Sequence, residues 1–362
     1  RFCYKCHSKA SDSQGSTWTA SVMKDRYGIA PMSATSVAIF GQIGKTYGHK
    51  VASYTGIHKP SRLDETTGNP AKLTTAKHIE CTDCHSAHDA GKTTHTVGGA
   101  GGNTISSNSP IAGVWGVQPT NGGNWTEPTA YSAVSTSSYE YQICFKCHSG
   151  FNSAYTAGAT PVGVNTTFTW GGTGASKWTN VALEFNPNNA SYHPVMAATS
   201  NSSASFNGAM RAPWTGVGTQ KMTCSDCHGD DGGAAQGPHG SAISRISKGF
   251  WPLKSTNLPY TIGGGYTGLL CDRCHNIAGI NNDAHSKHGG YACYNCHIVV
   301  PHGGALQGLV GDRDGNMPSR YAYNNNKNNL LISGYSGGEG DSTGNCNADA
   351  GCSRHNFPAT SW

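Results

Sequence analysis

Apolar and polar residues along this chain do not settle into long periodic runs, and the elements they predict are few and short. A short helix is expected over Ser21–Tyr27. The run SVAIFGQI around Ile39 comes nearest to a membrane span, and it falls far short of the roughly 18 apolar residues a span needs. From Gly91 to Ser138 the chain is rich in Gly, Ser, Thr and Asn, which predicts loops with a short hairpin, and residues 150–205 read the same way. Loops this long normally argue against a compact domain. No Pro/Ser linker separates two cores, so one continuous domain over residues 1–362 is expected, with a C-terminal tail over 330–362.

Composition sharpens the difficulty. Only 36 % of the 362 residues are apolar, 49 are Gly, and the mean hydropathy is −0.45. Such a chain has little with which to build a core, yet its formal charge of +5 lacks the high net charge typical of disorder. Apolar surface has to come from something besides side chains.

The cysteines say what. One unit recurs six times: CYKCH (Cys3, Cys6, His7), CTDCH (Cys81, Cys84, His85), CFKCH (Cys144, Cys147, His148), CSDCH (Cys224, Cys227, His228), CDRCH (Cys271, Cys274, His275) and CYNCH (Cys293, Cys296, His297). This is the attachment signature of c-type haem. Two thiols three residues apart on one turn each form a thioether to a haem vinyl group, and the next residue offers its imidazole to the iron. Zinc sites combine two CxxC pairs and need no His after each one. A dithiol redox CxxC usually occurs once, near a βαβ pattern. Every CxxC here is followed by His, so six covalent haems are expected, each served by about 60 residues of a thin polypeptide coat. A helical turn is expected after each motif.

Successive motifs begin 78, 63, 80, 47 and 22 residues apart. The absence of a fixed period argues against a solenoid of equal units. The last interval is too short for a separate domain, so the fifth and sixth haems should be close neighbours. Twelve propionates would turn the formal +5 into about −7, so the polypeptide's pI of 8.5 says little about partners. There is no basic stripe to support nucleic-acid binding. Eight Trp and sixteen Tyr suit haem packing and need no relay role.

Haem c is attached outside the cytoplasm, where disulfides persist. Cys346 and Cys352, the two cysteines outside the motifs, are therefore expected to form a small terminal disulfide rather than two free thiols. Cys3 follows only two residues, so an exported, soluble protein with its signal peptide already removed is expected. GDRDGN (Asp312, Asp314, Asn316) faintly resembles a calcium loop but lacks the closing Glu, and reads as a polar turn. Sequons occur at Asn124, Asn165, Asn189 and Asn201.

Eleven histidines remain for the sixth position of each iron. His88 in CTDCHSAH, His193 in SYHPV, His239 in QGPHG and His302 in VVPHGG fit recurring contexts best. His49 in YGHKV and His58 in GIHKP are open either way, and His49 is carried forward. His285 and His288 should supply one ligand between them, with His288 preferred; His78, His95 and His355 are expected to stay unliganded. A His three residues after its own motif reaches poorly over that ring, so these ligands can serve haems attached elsewhere. Six Met against eleven spare His favours bis-His coordination, low potentials and no open site for substrate.

The six CxxCH units, CTDCHSAHD, the passage from CSDCHG to GPHG, and the passage from AHSKH to CYNCHIVVPHGG resemble the extracellular multihaem c-type cytochromes of metal-reducing bacteria. The resemblance covers the motif segments and not the loops between them. It implies a multihaem cytochrome c fold: mostly irregular loops, with few short helices and hairpins, wrapped around a chain of six haems. It also implies electron transfer to other cytochromes, metal oxides or electrodes at the cell surface, with no catalytic residues. Some members, hexahaem ones included, polymerise into filaments in which one subunit donates an axial His to its neighbour, which makes a homopolymer the expected partner. Two alternatives stand beside this reading. One is a soluble shuttle with the same residues; the other is an oxidoreductase with one open haem for a small nitrogen or sulfur oxyanion. Such enzymes often carry one unusual motif, and all six here are regular.

Overall fold

A computed structural model of the chain describes residues 42–49, 51, 79–91, 103–151, 180–201, 209–232, 237–250, 268–277, 291–314, 319–336 and 343–346. The expected helix over Ser21–Tyr27, the first motif and Cys352 lie outside these residues. Four short α-helices are described: α1 (Cys81–Cys84), α2 (Glu140–His148), α3 (Val181–Glu184) and α4 (Cys224–Cys227). The fifth and sixth motifs form 3₁₀ turns, Cys271–Arg273 and Cys293–Asn295. Among the described residues no helix is long and apolar enough to cross a membrane.

The helical turn is the motif itself, and this corrects the expectation of a turn after it. In four motifs the His backbone N–H closes on the carbonyl of the first Cys: His85 to Cys81 and His228 to Cys224 at 2.9 Å, His275 to Cys271 and His297 to Cys293 at 2.8 Å. The residue before the second Cys decides how the turn starts. Asp83 accepts from the Glu80 N–H and Asp226 from the Thr223 N–H, both at 2.7 Å, and Asn295 accepts from the Ala292 N–H at 3.0 Å. These bonds satisfy donors that a helix start leaves orphaned. The chain then leaves the turn extended, with φ −130° at His85 and −104° at His228. No further helix forms at those two exits.

The third motif differs because it ends a longer helix. The buried residues of α2 include Tyr141, Ile143 and Phe145, and it packs on the antiparallel hairpin of β2 (Gly116–Thr120) and β3 (Ala130–Val134). That hairpin lies within the Gly91–Ser138 stretch, where a short hairpin is expected. Val117, Tyr131, Phe145, Phe151, Phe185, Trp214 and Met222 form the main core, with Cys224, Cys227 and Cys274 packed against it. Lys146, the variable residue before Cys147, is only 1 % exposed. Its ammonium donates to the Asp83 carbonyl at 2.6 Å and lies 4.7 Å over the Trp115 ring, which compensates a charge whose burial lowers its pKa.

Two very short ladders organise the rest. β1 (Tyr47–Gly48) pairs antiparallel with β5 (Gly240–Ser241), and β4 (Ser191–Tyr192) pairs with β6 (Gly303–Gly304). Each ladder ends where a histidine follows one strand and precedes the other: His49 beside His239, and His193 beside His302. The sequences leading out of the two ladders match, PHGSAISRIS from Pro238 and PHGGALQGLV from Pro301. Their backbones match too. Arg245 and Gly308 both have φ 63°, followed by left-handed Ile246 (55°) and Leu309 (54°). Three of these four are not glycine, and a β-branched Ile there is costly. The gain is local: Ile246 O accepts from the Gly229 N–H, and Leu309 O from the Ile298 N–H, at 2.7 and 2.9 Å. The chain thus contains one structural module twice, which the uneven motif spacing conceals.

A fourth pair, β7 (Ile332–Ser336) with β8 (Thr343–Cys346), runs antiparallel with a register shift between Ile332 and Gly334. In the GDRDGN stretch the Asp314 N–H donates to the Asp312 carboxylate at 3.0 Å, the bond of a polar turn. Asn189 of one sequon is buried, donating to Leu183 O and Glu184 O at 2.8 and 3.1 Å and accepting from the Trp125 N–H at 2.8 Å.

The ladders depend on two glycines. A Cβ on Gly240 would overlap the Gln42 carbonyl oxygen, and one on Gly303 the Glu184 carbonyl oxygen. At Gly304 an added Cβ meets nothing closer than 3.5 Å. Gly303→Ala is expected to destabilise the protein by about 1–3 kcal/mol, the usual cost of overpacking, whereas Gly304→Ala should change little. The denaturant midpoints of the two variants check this.

Candidate functional site

Each of four motif histidines faces a second histidine from a distant part of the chain. The ring centroids of His85 and His239 lie 6.0 Å apart, those of His228 and His302 6.0 Å, His148 and His49 6.2 Å, and His275 and His193 6.3 Å. These distances exceed direct stacking and have a simple chemical meaning. An imidazole nitrogen binds a transition metal at about 2.0 Å, and with ~1.1 Å from nitrogen to ring centre, two trans ligands of one metal have centroids roughly 6.2 Å apart. The relative ring planes vary from 8° to 69°, as rotation about a metal–nitrogen axis allows.

The hydrogen bonds select which nitrogen is available. The Nδ1 of His85 donates to Pro110 O at 2.9 Å, that of His228 to Arg245 O at 2.8 Å, and that of His297 to Gly308 O at 2.9 Å. His193 donates to Pro301 O, and His49 bonds the Pro238 carbonyl. A carbonyl can only accept, so in His85, His193, His228 and His297 the Nδ1 carries the proton and Nε2 keeps its lone pair. This is the arrangement that orients metal-ligating histidines. The duplicated module supplies it twice over. The left-handed turn turns Arg245 O to His228 and Gly308 O to His297, while Pro238 and Pro301 serve His49 and His193.

Electrostatics agree with neutral donors. Burial, reinforced by neighbouring imidazoles, brings His148 down to about 3, and burial brings His228 and His275 down to about 4. His49, His193 and His297 are lowered by the same cause. Burial also pushes the thiols of Cys84, Cys147, Cys227 and Cys274 up to about 12. A catalytic dithiol needs the opposite shift. Zinc chemistry finds no better support. Among the described residues one group of three ligand atoms comes together, Glu140, Cys144 and Cys224, from two different motifs. Its carboxylate already accepts from the Ser225 N–H and hydroxyl, each at 2.7 Å. Four CxxC turns each carry one imidazole pair, a donor set that a covalently attached haem would fit.

Of the histidines selected from sequence, His49, His193, His239 and His302 are the four opposite partners. His88 is exposed in the turn after its own motif and is not in one of the four pairs. His288, with His58, His78, His95, His285 and His355, lies outside the described residues, as do Cys3, Cys6 and His7. Sequence reading missed Glu184, which is fully buried and accepts from His302 Nδ1 at 2.5 Å.

The pairing follows a rule. His49 follows the first motif and faces the third; His193 follows the third and faces the fifth. His239 follows the fourth and faces the second; His302 follows the sixth and faces the fourth. An odd motif is thus followed by a histidine for the motif two ahead, and an even motif by one for the motif two behind.

If these pairs hold haem, His239→Ala and His302→Ala should each leave one iron with an open face. The ferrous variants are then expected to bind one carbon monoxide per chain, counted by optical titration, beyond whatever the parent protein binds. Comparison of the chain with protein-family models, with curated proteins and with solved structures finds no match, so the site is identified by these residues and their geometry.

Proposed function

We propose that this chain is an electron carrier holding six haems c between paired histidines, exported from the cell, with copies joined end to end in a filament that passes electrons to extracellular acceptors. The observation that carries the carrier reading is the set of four histidine pairs at 6.0–6.3 Å, each beside the two thiols of one CxxC turn. Haem held there by the motif thiols and the paired histidines would supply one-electron chemistry, which is what a carrier needs.

The polypeptide's own work is to keep such sites adjacent. The second motif touches the third through Lys146 and Asp83, and the third touches the fourth where the Cys144 and Cys224 sulfurs lie within 4.8 Å of each other. Besides burial, Cys274 raises the pKa of Cys227, and Cys293 raises that of Cys271, so the fourth, fifth and sixth motifs also lie in succession. Neighbours in sequence are therefore neighbours in space over five motifs.

The pairing rule supports assembly. Carried one step further, the rule directs His285 or His288, after the fifth motif, to a motif two ahead, and His88 or His95, after the second, to a motif two behind. A second copy placed end to end offers both. His285 or His288 would serve the first motif of one neighbour, and His88 or His95 the sixth motif of the other. The soluble shuttle shares every residue of this reading and lacks only the assembly.

Intact mass is expected to show six haem additions per chain, and the fully reduced protein to bind no carbon monoxide. Stoichiometric binding at one haem would favour the oxidoreductase instead. Electron cryomicroscopy of protein from the cell exterior should reveal filaments in which a histidine crosses each subunit boundary. Discrete particles at concentrations where a polymer persists would leave the shuttle.

A further inference from the structure

The duplicated module is not perfectly repeated at the residue behind its Pro-His-Gly histidine. Among the described histidines whose Nδ1 partner is identified, His85, His193, His228 and His297 give their proton to neutral backbone carbonyls. His302 gives it to a carboxylate, Glu184 Oε2, at 2.5 Å. Glu184 is 0 % exposed, and its other oxygen accepts from the Tyr321 hydroxyl at 2.9 Å. Tyr321 is itself fully buried and meets the Trp125 ring edge-on at 5.3 Å. In the first copy of the module, the residue whose carbonyl crowds the glycine after the histidine is Gln42 rather than Glu184. One copy thus carries an acid where the other carries its amide.

We propose that Glu184 sets the redox potential of the fourth motif's haem, making it the hardest of the six to reduce. The inference rests on the bis-histidine reading of His228 and His302. A carboxylate on the Nδ1 hydrogen bond pushes electron density through the imidazole onto its Nε2, more than a neutral carbonyl can. The richer ligand and the buried charge both favour Fe(III) over Fe(II), so the electron is accepted at lower potential. Tyr321 moderates the effect by drawing off part of the carboxylate's charge. Glu184 is a positioning and tuning residue and does not exchange electrons.

The test is a potentiometric titration of the holoprotein at fixed pH, followed by electron paramagnetic resonance of the separate low-spin ferric haems. Glu184→Gln is expected to move one midpoint, the lowest, to higher potential and to alter that haem's ferric signal alone. Tyr321→Phe should move the same haem the opposite way. Six unchanged midpoints in Glu184→Gln, or a uniform shift of all six, would overturn the proposal. Should Glu184→Gln not retain six haems by pyridine haemochromogen, Tyr321→Phe decides, and an unmoved lowest midpoint rejects it. A parent protein without covalent haem would instead remove the functional reading itself.

Discussion

Everything in this structure hangs on the hydrogen bond from an imidazole Nδ1 to a backbone carbonyl. An imidazole on a loop can rotate, and either nitrogen can carry its proton; one carbonyl at 2.8 or 2.9 Å removes both freedoms. A chain with few long elements cannot fix such carbonyls by stacking helices. It fixes them with two-residue ladders and left-handed turns, where a few backbone bonds determine the direction of one C=O. The strained turns at Arg245–Ile246 and Gly308–Leu309 make sense as the cost of that aim.

The same constraint explains the sparse core. Cys224, Cys227 and Cys274 pack against the main apolar cluster, so motif thiols and hydrophobic interior share one region. The buried Lys146 shows how tightly neighbouring motifs are joined: a variable position within one motif has become the strut to the next.

How much of this could be read in the sequence differs between local and distant features. The motif turns could be, because Asp83, Asp226 and Asn295 cap them from inside the five-residue unit. Sequence context also picked out His239 and His302, since proline before and glycine after are what a ladder entry needs. It did not reveal which histidine faces which, because His239 and His85 are brought together by contacts between segments more than a hundred residues apart. His88 was selected with His239 and His302 and sits exposed after its own motif, outside the four pairs. Glu184 carried no signal at all. It lies in an ordinary VALE stretch, and only the packing of Asn189 and Tyr321 around it brings its carboxylate to His302.

The alternation of forward-reaching and backward-reaching histidines has a consequence for how such a chain can change length. The first and sixth motifs are in none of the four described pairs, so a motif added or lost at either end leaves all four in place, whereas loss of the second, third, fourth or fifth removes one member of a pair. The chain can therefore change length at its ends while its middle stays fixed.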